Sequence, residues 1–150
     1  MQLDECINFV LTRAQNCTLT YFKNHLSEHG VTPAQYAILK CLWEQGEQSP
    51  SQLACAVHLD NSTITGILDR MASKNLLRRT PSASDRRALT ISLTPLGSSL
   101  MPEIEQTIQT INHRILSVFK DGEAEHLMSC LDTIVARIET IGQEELSDID

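Results

Sequence analysis

The sequence predicts a mainly helical α+β fold in which one small β-hairpin is set among six helices, and three observations predict it. Apolar residues recur at steps of three and four along most of the chain, the spacing of a helix that buries one stripe. Only at Leu89-Thr90-Ile91-Ser92-Leu93-Thr94 does the period fall to two, with Leu89, Ile91 and Leu93 on one face and the polar residues on the other. Hydroxyl-proline pairs and glycines punctuate the helical runs where caps belong.

The first helix is expected from Leu3 to about His29, with Leu3, Ile7, Val10, Ala14, Cys17 and Tyr21 on one stripe and Gly30 as its C-terminal cap. Thr32-Pro33-Ala34-Gln35 opens the second helix. Thr32 can cap, Pro33 suits the first turn and Gln35 completes a capping box. Gly46 breaks that helix. Ser49-Pro50-Ser51-Gln52 repeats the device for a short third helix, with Leu53, Ala54 and Val57 inward. Leu59-Asp60-Asn61 then makes a tight turn, with Asp60 or Asn61 as the next cap.

The fourth helix is expected over about Ser62 to Lys74. Ile64, Ile67, Leu68 and Met71 form its buried face; Ser62, Thr63, Thr65, Gly66, Asp69, Arg70 and Lys74 form its exposed one. The hairpin from Leu76 to Thr94 follows at once, with a Pro/Ser turn between its arms. Thr94-Pro95 opens the fifth helix, where Gly97 and Pro102 predict a kink or an irregular first turn. Ile104, Ile108, Ile111, Ile115 and Val118 line it. Asp121-Gly122 breaks the chain, and Leu127, Leu131, Ile134, Ile138 and Ile141 line a sixth helix before an acidic tail.

Charge is distributed unevenly. The 150 residues carry a net charge of -7, yet Ser49 to Gly97 hold six basic residues (Arg70, Lys74, Arg78, Arg79, Arg86, Arg87) against three acidic ones, a net of +3. The remainder holds six basic and sixteen acidic residues, a net of -10. Local field decides attraction to a polyanion, so the middle third is the candidate contact surface.

Composition bounds the rest. One domain, or one subunit of an intertwined dimer, suits this length. Residues 31–98 read as a DNA-binding lobe, and residues 1–30 and 99–145 as dimerisation helices. With 41% hydrophobic but only 4% aromatic residues, the core must be aliphatic. No apolar run is long enough to span a membrane and the N-terminus has no signal-peptide pattern, so the protein is expected to stay in the cytoplasm. The five cysteines form no CxxC pair and are expected to be buried small hydrophobes in a reducing compartment. No catalytic triad order, phosphate-binding glycine loop, metal motif or cofactor box stands out, so the chain reads as a non-enzyme without a cofactor.

Helices three and four, joined by a tight turn, form a helix-turn-helix, and the hairpin makes it winged. Small hydroxyl residues at the start of the fourth helix let the backbone approach the major-groove floor, and they can bond bases or phosphates. Ser49, Ser51, Asn61, Ser62, Thr63, Thr65, Arg70, Lys74, Arg86 and Arg87 are the candidate DNA contacts. Arg70 and Lys74 suit flanking phosphates, and the arginines at the hairpin tip suit the minor groove. Asp85 can accept from the Arg87 guanidinium and hold it in one orientation. The terminal helices carry aliphatic stripes that a homodimer would bury. Two-fold symmetry would then set two recognition helices about one DNA turn apart on a palindrome.

The chain resembles the MarR family of bacterial transcriptional regulators. Asp85-Arg86-Arg87 followed by Leu93-Thr94-Pro95-Leu96-Gly97 is similar to the family's wing signature. Leu59 to Thr65, Leu68-Asp69-Arg70-Met71 and Leu76-Leu77-Arg78-Arg79 are similar to its recognition helix and first wing strand. The resemblance implies a homodimer that represses, less often activates, from palindromic DNA, with Arg87 as the arginine that enters the minor groove. It also implies a signal: an aromatic acid or phenol, a peroxide or a metal.

The residues leave the signal open. In the peroxide-sensing branch a reactive cysteine lies in the first helix; alignment on Tyr36 puts Asn8 there, with Thr12 and Phe22 at the tyrosine positions, and Cys6 and Cys17 out of phase. His25 and His29, with Glu28, are the nearest approach to a metal set, and they also suit a solvated helix end. An apolar cleft between the first, second and fifth helices is the default effector site. Asn8, Thr12, Arg13, His25 and Tyr36 are its candidate polar linings. The alternatives are a redox- or metal-responsive regulator of the same fold, or a helical protein-interaction module that does not bind DNA.

Overall fold

The computed structural model describes residues 2–82 and 88–147, so Asp85, Arg86 and Arg87 lie outside the described residues. The chain divides into two compact units, residues 1–109 and 110–150.

The first unit opens with a short 3₁₀ turn at Leu3–Glu5, then α1 at Ile7–Leu26 and a second 3₁₀ turn at Ser27–His29. The single long helix expected from Leu3 is therefore trimmed at both ends. Cys6 adopts an extended backbone and separates the first turn from α1. Gly30, at a φ of 69°, closes the second turn in the left-handed conformation that glycine adopts without strain. Next come α2 (Pro33–Gln45), α3 (Pro50–Ala56) and α4 (Asn61–Ser73). Both capping boxes form: Thr32 accepts from the Gln35 amide, Ser49 accepts from the Gln52 amide, and each glutamine accepts back from the cap's own N–H. Asp60 caps α4, which resolves the choice between Asp60 and Asn61.

Strands β1 (Leu77–Pro81) and β2 (Leu89–Leu93) pair antiparallel, with Arg79 opposite Ile91. Gln48, in the turn between α2 and α3, adds a bridge to Ile91 on the other side of β2, exchanging both backbone hydrogen bonds at 3.1 and 2.8 Å. The alternation of β2 holds for Ile91, which is fully buried, but the opposite face is not left to solvent. Ser92 is buried because the Arg78 Nε donates to its hydroxyl at 2.9 Å. Thr94 is buried because its hydroxyl donates to the Asn75 carbonyl at 2.6 Å and accepts from the Gly97 amide at 3.0 Å.

Helix α5 (Pro95–Leu116) starts at that cap and is helical without interruption through Pro102. The irregular first turn that Gly97 and Pro102 suggested does not occur. Gly97 serves a close approach instead, since an added Cβ would collide with the Leu76 carbonyl oxygen. The aliphatic core joins Leu26, Ile38, Leu39 and Leu42 to Leu53, Ile64, Leu68 and Met71, then to Leu77, Ile91, Met101 and Ile104. The helix-turn-helix and the hairpin thus share one core with the start of α5.

The second unit contains the end of α5, a turn in which Gly122 takes a φ of 82°, and α6 (Glu123–Ser147). Helix α6 starts four residues before Leu127, the first residue of its stripe, because Glu123 and Glu125 supply the acidic first turn that a helix N-terminus favours.

Candidate nucleic-acid interface

The leading end of α4 is organised by Asp60. One carboxylate oxygen accepts from the Thr63 amide at 2.8 Å and from the Ser62 hydroxyl, and the other accepts from the Thr63 hydroxyl at 2.6 Å. These bonds to the charged form hold the carboxyl well below the usual carboxylate range, the Ser62 hydroxyl contributing most and Thr63 next. One turn on, the Thr65 hydroxyl donates to the Asn61 carbonyl at 2.8 Å. Asn61, Ser62, Thr63, Thr65 and Arg70 are all exposed, on the face opposite buried Ile64, Ile67, Leu68 and Met71. The candidate contact residues of this helix therefore lie together on one open face.

Ser51 is also exposed, in the first turn of α3, whereas Ser49 is half-buried and spent on capping. Lys74 is exposed and gives one of its three ammonium hydrogens to the Gly30 carbonyl at 2.8 Å, tying the end of α4 to the turn before α2. Two of the four hairpin arginines are likewise structural. Arg78 bonds Ser92 across the strands. Arg79 pairs with Asp69 of α4 at 2.7 Å, and its Nε and Nη2 are buried with no partner among the described residues. The sequence offered no signal for the Asp69–Arg79 strut, because the partners belong to different elements.

A second polar cluster joins α2 to α5. Glu105 accepts from the Tyr36 hydroxyl at 3.0 Å and from the Lys40 ammonium at 2.7 Å, and Lys40 also pairs with Glu44 at 2.9 Å. Burial and then the Glu105 carboxylate push the Tyr36 phenol up to about 12. Nearby in sequence, the His29 ring bonds the Thr107 hydroxyl at 2.8 Å. Of the candidate effector linings, Tyr36 is thus held by Glu105, His25 bonds the Tyr21 carbonyl, and Asn8, Thr12 and Arg13 are exposed on α1. None of them lines the open groove of about 300 Å³ between α1 and the start of α2, which is formed by Leu19, Thr20, Lys23, Thr32, Pro33 and Ala34. Among the described residues, no helix is long and apolar enough to cross a membrane, and no three His, Cys, Asp or Glu side chains converge as a metal site.

A helix-turn-helix of α3 and α4 with one open face on α4, packed on one core with α1, α2 and the start of α5 and followed by a two-stranded wing, defines a winged-helix protein. Residues 31–89 match the model of the MarR family. The chain is 33% identical over 111 residues to the HTH-type transcriptional regulator PecS of Dickeya dadantii, covering 72% of this chain and 67% of that protein. A probable transcriptional regulator from Pseudomonas aeruginosa superposes with a TM-score of 0.83 at 31% identity, over 89% of this chain and 99% of its own. The transcriptional repressor CouR, bound to a 23-mer DNA duplex, superposes with a TM-score of 0.84 at 25% identity, over 89% and 94% of the two chains. This chain belongs to the MarR family.

Proposed function

We propose that the chain is a sequence-specific DNA-binding repressor that grips a palindromic operator as a homodimer and is released by a small anionic aromatic or phenolic effector. The observation that carries this reading is the exposed, hydroxyl-lined face of α4 beside an arginine-bearing hairpin, in a stretch of net charge +3 within an acidic chain. The DNA-bound state of CouR, which shares the fold, supports it. In this reading α4 enters the major groove with Asn61, Ser62, Thr63 and Thr65, while Ser51 and Arg70 meet phosphates. Arg86 and Arg87 reach the minor groove, and Asp85 orients Arg87.

Residues 1–30 and 99–145 dimerise. Support comes from the apolar side chains they leave exposed, among them Ile7, Val135 and Ile138. The groove of Leu19, Lys23 and Pro33 suits the effector, since it pairs apolar walls with one cation. Occupation there shifts the spacing of the two DNA-reading lobes.

The test is binding of random and palindromic duplexes across a salt series. Specific binding must exceed random binding and both must weaken steeply with salt, because phosphate contacts release counterions. Arg87→Ala is expected to lose about tenfold or more in operator affinity while the dimer stays intact. Equal, salt-insensitive binding to all duplexes would sink the reading.

A further inference from the structure

A hydroxyl group has one hydrogen to give and two lone pairs to offer. On the exposed face of α4 the hydrogens of Ser62, Thr63 and Thr65 are all given within the protein, the first two to Asp60 and the third to the Asn61 carbonyl. What these three side chains hold out to solvent is lone pairs. The major-groove edge sorts bases by the same distinction: cytosine and adenine present an amine that donates, while guanine O6 and thymine O4 only accept. Asp60 adds a negative charge beside the helix N-terminus, where a bare row of amides would otherwise attract a phosphate.

We propose that Asp60 is a specificity-determining positioning residue: by taking the hydroxyl hydrogens of Ser62 and Thr63 it leaves those two side chains as acceptors only, which selects cytosine or adenine amines over guanine and thymine carbonyls at the bases they meet. The inference rests on the DNA-binding reading above and deepens it. Asp60 touches no base; it acts through Ser62 and Thr63. Its two oxygens divide the work, since Oδ1 serves the Thr63 amide and the Ser62 hydroxyl, and Oδ2 serves the Thr63 hydroxyl alone. That division makes Asp60→Asn an informative change. Asparagine keeps one oxygen for the cap, and it is as good a capping residue as aspartate. Its amide nitrogen replaces Oδ2, donates to Thr63, and turns the Thr63 hydrogen outward.

The experiment is selection from a randomised duplex library with the full-length wild-type, Asp60→Asn and Thr63→Val proteins, scored as base preference at each position of the half-site. Thermal melts confirm that all three fold. The wild type is expected to prefer cytosine or adenine at the α4-contacted positions by about tenfold, the size of one good base contact. In Asp60→Asn the preference at one position falls to below about twofold or passes to guanine or thymine. In Thr63→Val the same position loses its preference and gains no new one. Wild-type preferences retained in an Asp60→Asn protein that still selects a site overturn this inference alone. So does a uniform rise in affinity for all sequences, which is what simple removal of a negative charge gives. A wild-type protein that selects no site overturns the DNA-binding reading as well.

Discussion

Helices α4 and α6 carry the same kind of apolar repeat and meet opposite fates. In α4, Ile64, Ile67, Leu68 and Met71 are all buried. In α6, Leu127 stands open, Ile138 is 62% exposed, and Leu131, Ile134 and Ile141 are only half-buried. Both stripes recur at steps of three and four, so both identify a helix and its apolar side. The difference teaches that periodicity names the face to be covered and not the thing that covers it. For α4 the cover is in the same unit: Leu39, Leu53, Ile91 and Ile104 belong to one core with it. For α6 a second copy of the chain is the proposed cover.

Truncating the two stripes separates these cases most sharply. Leu68→Ala should destabilise the first unit by about 2–5 kcal/mol, read by denaturant unfolding, because it leaves a cavity in a closed core. A loss under about 1 kcal/mol would show that the α4 side is no better packed than α6. Gly97→Ala comes next, at about 1–3 kcal/mol, since the new Cβ, fixed rigidly to the α5 backbone, meets the backbone carbonyl of Leu76 and one of the two segments must shift. An unchanged melting temperature would show that α5 is free to move away from the hairpin.

In α6 the expected effect falls on association. Ile138→Asp should weaken self-association about tenfold or more while helix content stays constant, by sedimentation across a concentration series and circular dichroism. A dimer of unchanged strength would remove this face from the interface. The smallest effect concerns the polar cluster of α2 and α5. Tyr36 titrates near 12 when folded against about 10 when unfolded, so the neutral phenol is favoured by folding. That stability is whole below pH 10 and is lost as the pH rises toward 12. Partial exposure limits it to on the order of 1 kcal/mol. Glu105→Gln should bring the Tyr36 titration back toward 10, followed by phenolate absorbance.

What the sequence made legible was local. Thr32 with Gln35 and Ser49 with Gln52 lie three residues apart, so the helix starts were readable from spacing alone. The residues that fix the reader in place pair across long separations. Asp69 meets Arg79, Lys74 meets Gly30, and Tyr36 and Lys40 meet Glu105. Lys74 shows this plainly: only the approach of the Gly30 turn reveals the carbonyl that its ammonium meets. Gly97 misled, because a glycine needed for close approach and one that loosens a helix look identical in a string of letters. At the candidate interface, the row of hydroxyls was legible by position but the direction of their hydrogens was not.

The bridge from Gln48 to Ile91 has a consequence for how the protein behaves at high concentration. A two-stranded ribbon has two bare edges, each able to recruit a strand from another chain and seed aggregates. At the centre of β2, the outward amide and carbonyl of Ile91 are both taken by Gln48. One edge of the wing is thereby blunted by a single residue from the turn before α3, so the segment that carries the arginines is protected from sheet growth on that side without needing a third strand.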